Sequence, residues 1–429
     1  MNADDPIAWL FALERLGMKF GLENISRLCE SLGHPERSFR SLIVAGTNGK
    51  GSVTVMVETA LRAAGHRTAR YTSPHLVRLE ERFVIDGREV STSALRAAAD
   101  RVRAAVESLR RAGDLAAPPT FFECTTATAF ELFREARVDI AVLEVGLGGR
   151  LDATNVVTPV AAAITTIDLE HQEQLGSTVE SIAREKAGVI KAGIPVVCGA
   201  LPPEAWRVVA EVCLAQGAHL IRAHERVRVA PLGAAASRLV RIHSPRRTLD
   251  HVTLALAGRH QRDNATVAVA MLDELDRIGI TVGDDAARAG VADAVWPARL
   301  ERLTWRGVDV LLDAAHNPAG ARALAAHLRD IGWTKVTLVF GTMRDKDVAG
   351  MAAALAPACA TIVCTTAPSP RALSAAELAA AAREAAGPAV RIDIVADPEA
   401  ALDRAHAAAA PIVVAGSIFL IGPLRAILR

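Results

Sequence analysis

At 429 residues the chain is too long for one hydrophobic core of usual size, so two domains are expected. Hydrophobic residues make up 51% and charged residues 23%, a composition suited to large buried cores. A formal net charge of +1 gives no electrostatic ground for a nucleic acid or an anionic membrane as partner, and neither is expected. Six scattered cysteines without a C-x-x-C pair suggest neither a zinc site nor a disulfide framework. Four of them sit among alanines and valines and read as small buried hydrophobes. The acidic N-terminus has no secretory character and no apolar span of about 18 residues occurs, so a cytoplasmic location is expected.

The apolar run 42–44 predicts a buried strand, and a helical pattern extends to about residue 64. Between them lies Ala45-Gly46-Thr47-Asn48-Gly49-Lys50-Gly51-Ser52. Strand, glycine-rich loop, lysine and helix is the arrangement that cradles a nucleoside triphosphate. Backbone N–H groups at the helix start face the phosphates, and the lysine adds a mobile positive charge. The loop departs from G-x-x-x-x-G-K-[ST], because Val44 replaces the first glycine and Gly51 follows the lysine. Its hydroxyl comes one place late, at Ser52, which argues against an ordinary kinase or GTPase.

Helical patterns follow at 94–112 and 125–136. The run 140–143 reads as a buried strand ending at Glu144, with a glycine-rich turn at 145–152. A further strand is expected at 161–166, ending near Asp168, and a helix at 178–188. Short β-like runs at 226–229 and 251–256 suggest a small antiparallel excursion, in which Arg246-Arg247 reads as solvated loop. A helix is predicted over 264–278. Beyond 290–300 the pattern resets to five strands, at 308–313, 336–341, 361–365, 391–395 and 412–416. Helices at 319–330, 374–386 and 398–409 fill the intervals. The fold class is α/β. Residues 1–297 form a phosphate-loop nucleotide-binding domain with a mostly parallel sheet, and residues 298–429 form a Rossmann-like domain.

Further motifs follow the phosphate loop in order: Thr72-Ser73-Pro74-His75-Leu76, Phe121-Phe122-Glu123, LEVGLGGRLDATN at 143–155, Glu170-His171 and REKAG at 184–188. After them come HQRDNA at 260–265, Arg299-Leu300-Glu301, DAAHNPAG at 313–320, Asp345-Lys346-Asp347 and Gly416-Ser417. In these the chain resembles folylpolyglutamate synthase and dihydrofolate synthase, of the Mur ligase superfamily. The resemblance implies ATP-driven amide formation, in which a substrate carboxylate takes the γ-phosphoryl group and the amine of L-glutamate then displaces phosphate. Bringing a carboxylate to a polyanion is costly. One like-charge pair about 4 Å apart repels by roughly 4 kcal/mol at a dielectric of about 20, and several such pairs act together. One lysine does not offset that, so divalent metal is expected.

By the resemblance, Ser73 and Glu144 hold one Mg²⁺ and His171 contributes to a second. Lys186 carries a carbamate derived from CO₂ and supports the metal site. Thr47, Asn48, Gly49, Lys50, Gly51 and Ser52 bind ATP, together with Asn264, Arg299, Asp313 and His316. Because Arg299 and Asp313 fall in the second domain, an interdomain ATP site is implied. Thr120, Phe121, Phe122, Glu123, Leu151, Asp152 and Ala153 take the pterin or folate, either dihydropteroate or a reduced folate. A monomer is expected.

Simpler readings of the same residues stand beside these. Glu144 could pair with Arg150, His171 could be a polar loop residue, and Lys186 could form a surface ion pair on its helix. Asn264 could be a helix-surface amide, Arg299 a linker salt bridge, and Phe121 and Phe122 plain core. Glu170 departs from the Asp usual in the family, and Lys19 lies where substrate preferences diverge. The competing functions are a ligase for muramoyl peptides, a phosphotransferase to a hydroxyl, and a nucleotide-gated binding protein without turnover.

Overall fold

The computed structural model describes residues 5–17, 19–115, 117–234 and 236–429, and of Leu16 the backbone only. The chain divides into two compact units. The first comprises 1–230, 241–252 and 263–294, and the second comprises 231–240, 253–262 and 295–429.

The first unit is built on an eight-stranded sheet. Its strands are β1 Arg40–Ala45, β2 Thr68–Tyr71, β3 Phe83–Ile85, β4 Arg88–Glu89, β5 Ile140–Glu144, β6 Ala161–Ile164, β7 Pro195–Cys198 and β8 His219–Arg222, in the order β4-β3-β2-β5-β1-β6-β7-β8. The pairings from β2 to β8 are parallel, and β3 and β4 add an antiparallel edge. Strands β5, β6 and β7 are buried along their whole length. That is why they appear in the sequence as unbroken apolar runs rather than alternating ones.

The strand order decides where a site can form. The chain leaves β1 for β2 on one side and later returns to place β6 on the other, so β1 sits where the sheet reverses direction. Crevices at the C-terminal ends of such strands are where α/β sheets take ligands. The segments 46–49, 72–75, 145–152 and 165–171 follow β1, β2, β5 and β6, all at that same edge. The motifs at 45–52, 72–76, 143–155 and 170–171 therefore converge there.

Strands β9 Arg228–Pro231, β10 Leu239–His243 and β11 Thr248–Thr253 form a small three-stranded sheet. Arg246-Arg247 is not the solvated loop that the sequence suggests. Arg246 is exposed, but Arg247 is only 4% exposed. Arg247 donates to Asp273 Oδ1 at 2.7 Å and to the Val282 carbonyl at 3.1 Å, and it also pairs with Asp276. A buried guanidinium persists because its donors are met by charge and carbonyl oxygen.

The second unit holds β12 Glu301–Trp305, β13 Val308–Leu312, β14 Val336–Phe340, β15 Cys359–Cys364, β16 Arg391–Ile394 and β17 Ile412–Ala415. Their order is β12-β13-β17-β14-β15-β16, and all pairings are parallel except β12 with β13. The sequence predicts five of the six. The missing one, β12, is an edge strand in which exposed Arg302 and Thr304 alternate with half-buried Glu301, Leu303 and Trp305, without a buried run. Here too the motifs gather, since Asp313–Asn317, Asp345–Asp347 and Gly416–Ser417 all follow the C-terminal ends of parallel strands. All six cysteines are buried, two more than their surroundings suggested.

Candidate active site

Loop 46–49 leaves β1 and enters the helix Lys50–Ala63. Two glycines are sterically required. Gly46 has φ 147°, and a Cβ there would fall 2.0 Å from Thr165 Oγ1. Gly49 has φ 89°, and a Cβ would fall 2.3 Å from Asn264 Oδ1. Hydroxyls after β6 fasten the loop from the opposite side. Thr166 Oγ1 accepts from Asn48 N at 3.0 Å, Thr165 Oγ1 donates to Asn48 O at 2.6 Å, and Thr47 N donates to Thr166 O at 2.7 Å. Thr165 and Thr166 have no motif of their own. Their signal is positional, two hydroxyls just beyond a strand that neighbours the loop strand.

Two lysines meet at one carbonyl. Lys50 Nζ donates to Gly46 O at 3.0 Å and to Thr47 O at 3.1 Å, while Lys186 Nζ donates to Gly46 O at 2.9 Å. Lys186 is 4% exposed, so the surface ion pair is excluded for it. Its neighbour Glu185 pairs instead with Arg150, at 2.8 Å. The helix Val179–Ala187 shows why: Ile182, Ala183, Lys186 and Ala187 share its buried face. Burial, reinforced by the Lys50 ammonium, pulls the Lys186 pKa down to about 7, and Glu170 and Asp152 act in the other direction. Position 170, where the sequence departs from its family, thus bears electrostatically on Lys186.

The glycine-rich turn after β5 is clamped onto the same helix. Arg150 N donates to the Glu185 carbonyl at 2.8 Å, and Asn155 Nδ2 donates to the carbonyls of Arg150 and Gly188, both at 3.0 Å. Asp152 organises the turn. It accepts from Gly146 N, Leu147 N, Thr154 N and Thr154 Oγ1, and burial raises its pKa against those bonds. Leu151 is half-buried and Ala153 buried beside it.

Glu144 ends β5 opposite Val44 of β1, and it is 5% exposed. Its Oε2 accepts from Ser73 N at 3.2 Å, so Ser73 and Glu144 adjoin at the foot of the phosphate loop. Arg150 does not pair with it. His171, at φ 51°, opens the short helix Gln172–Leu175 and lies 3.9 Å from Glu170. Glu144 and the Ser73 hydroxyl suit a hard cation that takes oxygen ligands and keeps waters, and His171 adds an imidazole. Among the described residues no group of three His, Cys, Asp or Glu side chains is placed to hold a metal ion.

The segment 120–123 has a structural role of its own. Thr120 caps the helix Phe121–Glu135, and Glu123 completes a reciprocal capping box with bonds of 2.7, 2.9 and 3.2 Å. Phe121 is buried in the core, stacked on Phe11 at 5.9 Å, with the Arg82 guanidinium 5.1 Å from its ring centre. Phe122 is half-buried, 5.9 Å from the Tyr71 ring. His75, in the Thr72–Leu76 motif, accepts from Arg82, and burial lowers its pKa to about 4.

In the second unit Asp313 follows β13 and is buried. Leu300 N and Ala315 N donate to its two oxygens, both at 2.9 Å. Burial raises its pKa, and nearby Arg299 opposes this. Arg299 Nη1 donates to the Ala298 carbonyl at 3.1 Å, and His316 Nδ1 lies 2.9 Å from the Ala314 carbonyl. Asn317 caps the helix Pro318–Asp330, and Gly416 N donates to the Ala315 carbonyl at 2.9 Å. Asp313, Arg299 and His316 are thus brought together, while Asn264 lies with the phosphate loop in the first unit.

A P-loop variant on a parallel sheet, followed by a second parallel α/β unit, is the architecture of Mur-type ligases. A family model described as the glutamate ligase domain of Mur ligases matches residues 298–418. More specifically, the chain belongs to the folylpolyglutamate synthase/dihydrofolate synthase family. It is 35% identical to a dihydrofolate synthase/folylpolyglutamate synthase of Bacillus subtilis over 81% of both chains. It is 38% identical to one of Mycobacterium tuberculosis over 86% of this chain and 78% of that one. The M. tuberculosis folylpolyglutamate synthase solved with ADP and AMPPCP superposes with a TM-score of 0.90, 35% identity and 99% coverage of each chain. A bifunctional folylpolyglutamate synthase/dihydrofolate synthase with Mn, AMPPNP and L-glutamate bound gives 0.85, at 33% identity and 99% and 98% coverage. None of the described helices is long and apolar enough to cross a membrane.

Proposed function

We propose that the chain is an ATP-dependent ligase that joins the amine of L-glutamate to the carboxylate of dihydropteroate, of a reduced folate, or of both. The observation that carries this reading is the meeting of Lys50, Lys186 and the Glu144–Ser73 pair around the phosphate loop. The substrate carboxylate attacks the γ-phosphorus of ATP and ADP leaves. Glutamate nitrogen then attacks the acyl carbon, and the carbon–oxygen bond to phosphate breaks.

Lys50 neutralises phosphate charge, and the loop amides of residues 47–52 hold the phosphates. Asn264, Arg299, Asp313 and His316 contact the rest of the nucleotide. Ser73, Glu144 and His171 would hold Mg²⁺, which when bound offsets the charge of the triphosphate. Thr120, Phe121, Phe122, Glu123, Leu151, Asp152 and Ala153 belong to the pterin side. There Phe122 offers an aromatic surface, and Glu123 and Asp152 act through the turns they hold.

Lys186 is assigned a carbamate. Its amine attacks CO₂ and releases a proton, which requires the neutral amine that burial favours. The modification replaces a lysine–lysine repulsion with an attraction to Lys50. We assign residues 1–297 to ATP and pterin binding and 298–429 to the glutamate ligase domain, and expect a monomer in the cytoplasm.

The test is ADP release by the purified protein with Mg·ATP, with and without L-glutamate, comparing dihydropteroate with tetrahydrofolate. Turnover that requires both glutamate and one of the pterins supports the assignment. ADP release indifferent to both refutes it.

A further inference from the structure

Arg82 is 6% exposed and ends the turn Leu79–Arg82. A buried guanidinium is normally offset by a carboxylate, because an uncompensated charge is costly in a low-dielectric interior. Among the described residues no carboxylate forms an ion pair with it; burial lowers its pKa, and the Tyr71 hydroxyl, Glu14 and Glu144 offset this only from nearby. The acids that precede it in sequence are committed elsewhere. Glu81 accepts from the backbone amides of Leu76, Val77 and Arg78, and Glu80 accepts from the Thr92 hydroxyl. Glu144 accepts from Ser73 N.

What Arg82 does contact orients it. Its Nε donates to His75 Nδ1 at 2.9 Å. Because an arginine Nε can only donate, His75 is fixed as an acceptor at Nδ1. The Arg82 carbonyl accepts from Thr72 N at 3.1 Å, which ties the residue to the strand end that leads to Ser73. Its guanidinium carbon stands 5.1 Å from the Phe121 ring centre. The two terminal nitrogens are the part of the fork suited to bidentate binding of a carboxylate.

We propose that Arg82 receives the carboxylate of the aromatic acid to be activated, holding it beside the Ser73–Glu144 junction before it meets ATP. This rests on the ligase reading above. His75 keeps the guanidinium turned toward the incoming acid and is a positioning residue, while Arg82 is a substrate-binding one.

The test measures binding of pteroate and of its uncharged carboxamide to the full chain with Mg·ADP, by calorimetry. Wild type is expected to bind pteroate about 10-fold or more tighter than the carboxamide, the range for a hydrogen bond between charged groups. Arg82→Gln abolishes that preference by weakening pteroate alone, and Arg82→Lys restores part of it. Equal weakening of both ligands by Arg82→Gln assigns the residue a structural role and overturns the proposal. If the variants do not fold, wild type decides. Binding of both ligands with equal affinity overturns the proposal and leaves the ligase reading intact, whereas binding of neither overturns both.

Discussion

Lys50 and Lys186 donate to the same carbonyl, and burial of Lys186, with repulsion from the Lys50 ammonium added to it, disfavours its charged form. The buried member yields, with its pKa brought down to about 7. For unmodified protein the sign follows directly. Between about 7 and the ordinary lysine value of 10.5, the unfolded chain binds the proton and the folded one does not. Stability therefore gains from Lys186 as pH rises through that window, and Lys186→Met flattens the gain in denaturant titrations at a series of pH values. Carbamate formation follows the same neutral amine. Lys186→Ala is expected to lower turnover by about 100-fold or more, the scale for removing a preorganised electrostatic group, with short added carboxylates restoring part. Undiminished turnover in Lys186→Ala refutes the assigned role. The burial of Lys186 is legible in the sequence, because Ile182, Ala183 and Ala187 surround it at helical spacing. Reading it with adjacent Glu185 alone hides this.

Elements show where the sequence carries more than one message. Thr120-Phe121-Phe122-Glu123 reads as an aromatic beside a carboxylate, yet the T-x-x-E spacing is also that of a capping box, and the structure uses it so. Thr120→Ala should cost about 1 kcal/mol of stability, measured as a shift of the denaturation midpoint. Any larger loss of pterin binding than of stability would be a separate contribution. Arg247 is a harder case. Its acceptors Asp273 and Asp276 lie on a helix tens of residues away, so no local pattern announces that it is buried. Arg247→Ala leaves Asp273 buried without its cation, while Asp276 keeps Arg246 3.8 Å away, and should cost about 3 kcal/mol, with ATP binding unchanged. The edge strand Glu301–Trp305 is hidden from a search for apolar runs for the same reason that it needs none: it is paired on one side only.

At the scale of the molecule, each unit is a parallel sheet whose motifs lie at the C-terminal ends of its strands. Strands β1, β5 and β6 and the five parallel strands of the second unit were legible from their apolar runs, whereas β2, β7 and β8, each only four residues long, were not. The order of the strands was not, since crossover choice leaves no local trace in composition. Two units with separate cores are expected to unfold in more than one calorimetric transition. Mg·ATP at about 100 times its dissociation constant should stabilise the unit carrying the phosphate loop by about 2.7 kcal/mol. Gly49→Ala, which forces a methyl group against Asn264, should abolish that shift.

The proposed reaction passes through an acyl phosphate formed at the foot of the phosphate loop. The most direct measurement supplies pteroate with heavy oxygen in its carboxylate, together with Mg·ATP and L-glutamate, and weighs the released phosphate. Transfer of one labelled oxygen to phosphate per amide formed is predicted. Amide formation that leaves the phosphate unlabelled would contradict the mechanism.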